Sequence, residues 1–134
     1  MPIFCELDPN GILRTRCAGA ITYADCIQAS HGFVEWFPYG TPLYELVLYD
    51  FGAYYDLSHP ESMELVDYSR TNLQRWPGGA ICLVSRTDLI YASAVLFVEL
   101  LSGMVPQKLH CVQTEEEGFR WLRAQQSYGK PASA

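Results

Sequence analysis

The sequence predicts one α/β domain with a mixed, mainly parallel sheet. Three observations carry that expectation. Apolar runs of strand length alternate with capped helical segments from Leu43 onwards. Two alternating segments near the start flank Asn10-Gly11, which supplies the positive φ values of a tight hairpin turn. The composition, 49% hydrophobic and 18% charged over 134 residues, suits a single core without disulfide or metal support.

The elements follow in order. Residues 3–8 alternate, with Ile3, Cys5 and Leu7 opposed to Phe4, Glu6 and Asp8, and residues 12–18 alternate again. They form an antiparallel hairpin with one wet face. Thr22 to Asp25 is a capping box in its acidic form, and the helix it opens runs to Phe37, stopped by Pro38. Its apolar stripe is Tyr23, Ile27, Val34 and Phe37, with Ala24 and Phe33 beside it. Leu43 to Tyr49 is apolar except for Glu45, as in a central strand covered on both faces.

Ser58-His-Pro-Glu61 is a second capping box, and Met63, Val66, Leu73 and Trp76 give the face of the next helix. Pro77-Gly78-Gly79 stops it, Ala80 to Val84 is a short buried strand, and Ser85 or Thr87 caps a helix reaching Ser102. That apolar helix reads as a core element; Leu89 to Leu101 includes Glu99 and is shorter than the roughly 20 residues a bilayer needs. Lys108 to Val112 is the last strand, and Thr114 to Glu117 caps a final helix anchored by Phe119, Trp121 and Leu122. The order is β-β-α-β-α-β-α-β-α, in one domain over 1–127 with a flexible tail over 128–134.

Charge and cysteines narrow the function classes. The net charge is −6, and the nine Lys and Arg residues form no basic stripe, so nucleic acid is not an expected partner. Five scattered cysteines without a Cys-x-x-Cys pair read as free thiols in a reducing cytoplasm. No signal peptide is recognisable, and neither membrane insertion nor a metal site is expected. No cofactor is expected either, because the glycines at Gly78-Gly79 precede a strand, whereas a nucleotide loop follows one.

The functional signal concentrates in Leu46 to Glu64. There a strand ends in Asp50, a turn carries Gly52, and a capped helix begins near Ser58. Ligands of α/β proteins sit beyond the carboxyl ends of strands. Asp50, Gly52, Tyr54, Tyr55, Asp56, Ser58 and His59 are the candidate binding or switch loop, with turn and cap chemistry as their ordinary roles. Phe33, Trp36, Phe37 and Tyr39 form a second, aromatic group fit for an interface, or for a pocket taking a small apolar ligand. A hydrolase would have to pair Ser58 or a thiol with a histidine such as His110, and no Gly-x-Ser-x-Gly elbow exists to support it. No catalytic residue is assigned.

Three stretches resemble a known family. LVLYDFGAYYDLSHPE (46–61) resembles the strand-Asp, Gly-turn and helix start of STAS domains, the fold of anti-sigma-factor antagonists and sulfate-transporter tails. AICLVSRTDLIYASAVLFVELLS (80–102) and LHCVQTEEEGFRWL (109–122) are similar to stand-alone, STAS-like bacterial proteins. The resemblance implies a non-catalytic regulatory domain that binds a protein partner or forms a homodimer. By position it implies Asp50 as the strand-ending Asp, Asp56 as the Asp before the serines, and Ser58 as the phosphoacceptor. Leu57 stands where the family has its first Ser, His59-Pro60 where it has Gly, and Tyr54 and Tyr55 make the loop bulky. The phospho-switch is the part of the resemblance that these departures touch.

Overall fold

The computed structural model describes residues 2–128. Five strands form the main sheet, in the order β1 (Ile3–Leu7), β2 (Leu13–Cys17), β4 (Leu43–Tyr49), β6 (Gly79–Val84) and β7 (Lys108–Val112). β1 and β2 are antiparallel and every other neighbour in this sheet is parallel, so the opening hairpin makes one edge. The last residue of α5 (Glu115–Tyr128) is Tyr128, and the rest of the expected tail lies outside the described residues.

Helices cover the sheet unequally. On one face α1 (Tyr23–His31), α2 (Phe33–Trp36), α3 (His59–Asn72) and α4 (Asp88–Leu101) enclose Leu13, Leu43, Val47, Tyr49, Ile81 and Leu83. On the other, α5 alone covers Leu46, Cys82, Val84 and Val112. Alternation along β4 explains the split, because successive side chains of a strand point to opposite faces. α5 lies very close to the sheet. A Cβ on Gly118 would come within 2.6 Å of Leu46 Cδ1 and 3.0 Å of Val84 Cγ2. Gly79 has φ +107, and a Cβ there would sit 1.9 Å from the Leu43 carbonyl oxygen.

The structure departs from the expected elements in four places. The first helix breaks at Gly32, whose N–H closes α1 on the Ala29 carbonyl and whose carbonyl opens α2. Ala24 consequently faces solvent, while Phe33 and Phe37 turn into the core. On α3 the buried residues are Leu65 and Asn72, and Met63 is 45% exposed. The segment read as a loop contains β5 (Tyr54–Asp56), which pairs in parallel with β3 (Ala20–Thr22) as a second, two-stranded sheet. Finally, α4 buries Ile90, Ala94 and Leu101 but leaves Leu89, Leu96 and Leu100 exposed, so it is a core helix on one side only.

Candidate functional site

β4 delivers the chain to the carboxyl end of the sheet at Asp50. The Asp50 carboxylate takes the Arg16 guanidinium at 2.9 Å and 3.1 Å, and its N–H donates to the Cys17 carbonyl at 2.9 Å. Ala53 N–H then closes a turn on the Asp50 carbonyl at 3.0 Å, with Gly52 at φ +82. That angle favours glycine, so the chain reverses here at no steric cost. Tyr54 N–H bonds the Gly19 carbonyl at 3.0 Å and brings β5 alongside β3.

Pairing with β3 sends the two tyrosines opposite ways. Tyr54 is 48% exposed, whereas the Tyr55 hydroxyl meets that of Tyr49 in a hydrogen bond, with rings 5.7 Å apart and nearly perpendicular. Burial pushes both phenols well above their ordinary pKa, so they are neutral partners. Nearby, Thr15 Oγ1 donates to Glu45 Oε2 at 2.6 Å and lies 3.6 Å from Cys5 Sγ. Burial pushes the Glu45 carboxyl up to about 7, partly opposed by the Thr15 bond. Glu45, Thr15, Tyr49 and Tyr55 border a cavity of about 110 Å³ whose remaining walls are mostly apolar.

Beyond Asp56 the chain enters α3 through the expected capping box. Ser58 Oγ accepts from Glu61 N–H at 3.2 Å, and the Glu61 carboxylate accepts from Ser58 N–H at 2.9 Å. The Ser58 hydroxyl is therefore a cap, and the helix N-terminus already holds a negative charge on Glu61. His59 begins the lining of a groove of about 260 Å³ between α3 and α4, with Leu57, Met63, Val66, Leu96 and Leu100. Tyr55, Leu65 and Phe97 border both this groove and the cavity beside Glu45.

The structure brings Asp50, Gly52, Tyr54, Tyr55, Asp56, Ser58 and His59 to one end of the sheet but gives them different roles. Of the aromatic group, Phe33 meets the loop residues by sharing the cavity walls with Tyr55. α1 starts at that end and runs back along β4, whose seven residues span roughly 23 Å. Phe37 and Tyr39 lie at the opposite end against Trp76, whereas Phe33 borders one cavity with Tyr49 and Tyr55, and Trp36 lines a surface pocket with Ile3. Phe33 and Phe37 are core residues rather than interface residues, because Trp76 packs against Phe33 and donates Nε1 to the Phe37 carbonyl at 2.8 Å. Tyr39 packs at a tilt against Trp76 and accepts from Arg75 at 2.9 Å. Trp36 remains 37% exposed.

His110 packs against Trp121 of α5, across the sheet from Ser58, so the two share no site. Burial pushes Cys26 and Cys82 up to about 12 and Cys111 up to about 11, and raises Cys5 and Cys17 as well. Thiolates are correspondingly scarce at neutral pH. Among the described residues no group of three His, Cys, Asp or Glu side chains could hold a metal ion, and no helix is long and apolar enough to cross a membrane.

Sequence reasoning missed Leu96, Leu100 and the groove they line. Their signal was present in the helix 88–101, which is apolar around most of its circumference and therefore marks no solvent side.

No family model matches this sequence, and no curated protein matches it significantly. Among solved structures, an uncharacterized protein of the DUF3478 family from Shewanella loihica PV-4, described as having a SpoIIAA-like fold, matches with a TM-score of 0.57. The match covers 90% of this chain and 91% of that one at 13% identity, which speaks to fold alone. The SpoIIAA-like fold is the STAS-like fold, and this chain has it.

Proposed function

We propose that the chain is a cytoplasmic, non-catalytic interaction module that regulates a protein partner through the Tyr54–His59 segment and the groove beside it. One observation carries this reading. Leu89, Leu96 and Leu100 are 75%, 56% and 42% exposed along one side of α4, and Leu96 and Leu100 line the groove together with Met63, which is 45% exposed. Large apolar side chains gathered in one exposed patch mark interaction surfaces, whereas scattered ones need no explanation. The absence of a catalytic role is inferred from groups already engaged elsewhere: Ser58 as a cap, His110 against Trp121, and thiols held protonated by burial. A phosphate on Ser58 would stand beside Glu61 at the rim of the groove, and would act there by charge.

Photo-crosslinking tests the reading. A photoreactive amino acid at position 96 should yield a discrete polypeptide adduct in cells, lost on Leu100→Glu and absent when the probe stands at position 123 on α5. No adduct from position 96, or equal adducts from both positions, counts against it.

A second reading is favoured by the walls shared between groove and cavity. Through Tyr55, Leu65 and Phe97 a small apolar molecule could reach inward from the surface. Native mass spectrometry of the purified chain should then show a bound mass released on denaturation, and a bare chain would rule it out.

A further inference from the structure

We infer that the α3–α4 groove receives an amphipathic helix from a partner protein, with basic residues flanking its apolar face. The inference rests on the interaction reading above and names the partner's chemistry. α3 and α4 each have 14 residues, about 21 Å of helix, so the groove between them fits three or four turns of a third helix. Leu89, Leu96 and Leu100 recur at the seven- and four-residue steps by which helices present a seam to one another. Ser93 lies within that seam and lines the groove, so a neighbouring backbone can come close.

Charge selects among occupants. At 100° per residue, Glu64 and Asp67 stand outside Met63 on α3, and Asp88 and Glu99 stand outside the leucine seam on α4. All four are exposed, and of the nearby cations Arg70 pairs with Asp67 at 3.0 Å while Arg86 lies over the Phe51 ring. With Asp67 taken up by Arg70, Glu64 on the α3 side and Asp88 and Glu99 on the α4 side still set carboxylates on both flanks of the apolar strip. A second copy docking through the same face would place these carboxylates against their own kind. An anionic bilayer surface would be repelled as well. Lys or Arg beside a partner's apolar seam complements both flanks.

The test uses the whole chain and two synthetic peptides of about 16 residues. They share one leucine seam and differ in flanks, one Lys and one Glu. Fluorescence anisotropy should show the Lys peptide binding at least about tenfold more tightly, and weakening as salt rises. Leu96→Glu should abolish binding even though it makes the chain more acidic, an outcome that a merely electrostatic attraction would reverse. Glu64→Lys with Glu99→Lys should shift the preference towards the Glu peptide. Circular dichroism of each variant confirms that the fold is kept. Equal binding of both peptides, or Leu96→Glu binding as wild type, overturns the inference. Self-association lost on Leu96→Glu overturns it in favour of a second copy, and capture by zwitterionic vesicles in favour of lipid. If the Lys peptide fails while position 96 still gives a polypeptide adduct, only this inference falls; if both fail, the interaction reading falls with it.

Discussion

α4 and α5 are helices of equal length, 14 residues each, laid on opposite faces of one sheet, and they end differently at solvent. α5 turns Leu122 inward and presents Glu116, Glu117, Arg120 and Arg123 outward, while Glu115 holds Arg14 of β2 at 2.5 Å. Its amphipathic pattern is complete without any further partner. α4 turns Ile90, Ala94 and Leu101 inward and presents Leu89, Leu96 and Leu100 outward. The same task of covering a sheet needs only one apolar stripe. A second stripe on the same helix adds nothing to that cover, and it is there that an interaction is to be sought.

The contrast can be broken most severely on the α5 side. Gly118→Val should cost about 3 kcal/mol, because the fully buried Leu46 leaves no room for the added carbons. Urea denaturation measures this, and a loss below about 1 kcal/mol would show that α5 is not tightly seated.

The α4 side holds the titrating core. Glu45 is raised from 4.5 to about 7, so between these values the folded chain holds a proton that the unfolded chain releases. Folding stability should therefore be greatest below about pH 4.5 as far as this group is concerned, fall through the window by up to about 3 kcal/mol, and level off above 7. Stability measured against pH should lose this slope in Glu45→Gln; a slope kept in the variant would assign it to another group.

The smallest expected effect is at the cap between the two regions of β5 and α3. Ser58→Ala should cost about 1 kcal/mol by leaving the Glu61 N–H without its acceptor. A thermal melt unchanged within error would mean that Glu61 alone holds the helix start.

Much of this was legible in the residues. Leu43–Tyr49 and Lys108–Val112 are strands with the bounds their patterns imply, and the Thr22 and Ser58 boxes cap where they should. These features are local: a run of apolar side chains, or an oxygen three residues before a free N–H. What stayed hidden depends on distant partners. Nothing within Tyr54–Asp56 says that Ala20–Thr22 will lie alongside, and so nothing says that Tyr55 goes inward and Tyr54 outward. Gly32 breaks a helix whose stripe continues on either side of it. The exposed leucines of α4 were hidden for the opposite reason: their helix has too little polarity to mark which side meets water.

The pairing of β3 with β5 changes what kind of object the candidate loop is. Three rungs of parallel ladder, Ala20 to Tyr54, Ile21 to Tyr55 and Thr22 to Asp56, tie it to the entry of α1. Helix entry and loop thereby share one hydrogen-bonded ladder, so a displacement of β5 should be felt at the start of α1. The stretch that looks freest in the sequence is a strut, and the exposed turn at Phe51-Gly52 lies outside its ladder. A protease or an inserted peptide should find its opening at that bend and not in the residues that follow it.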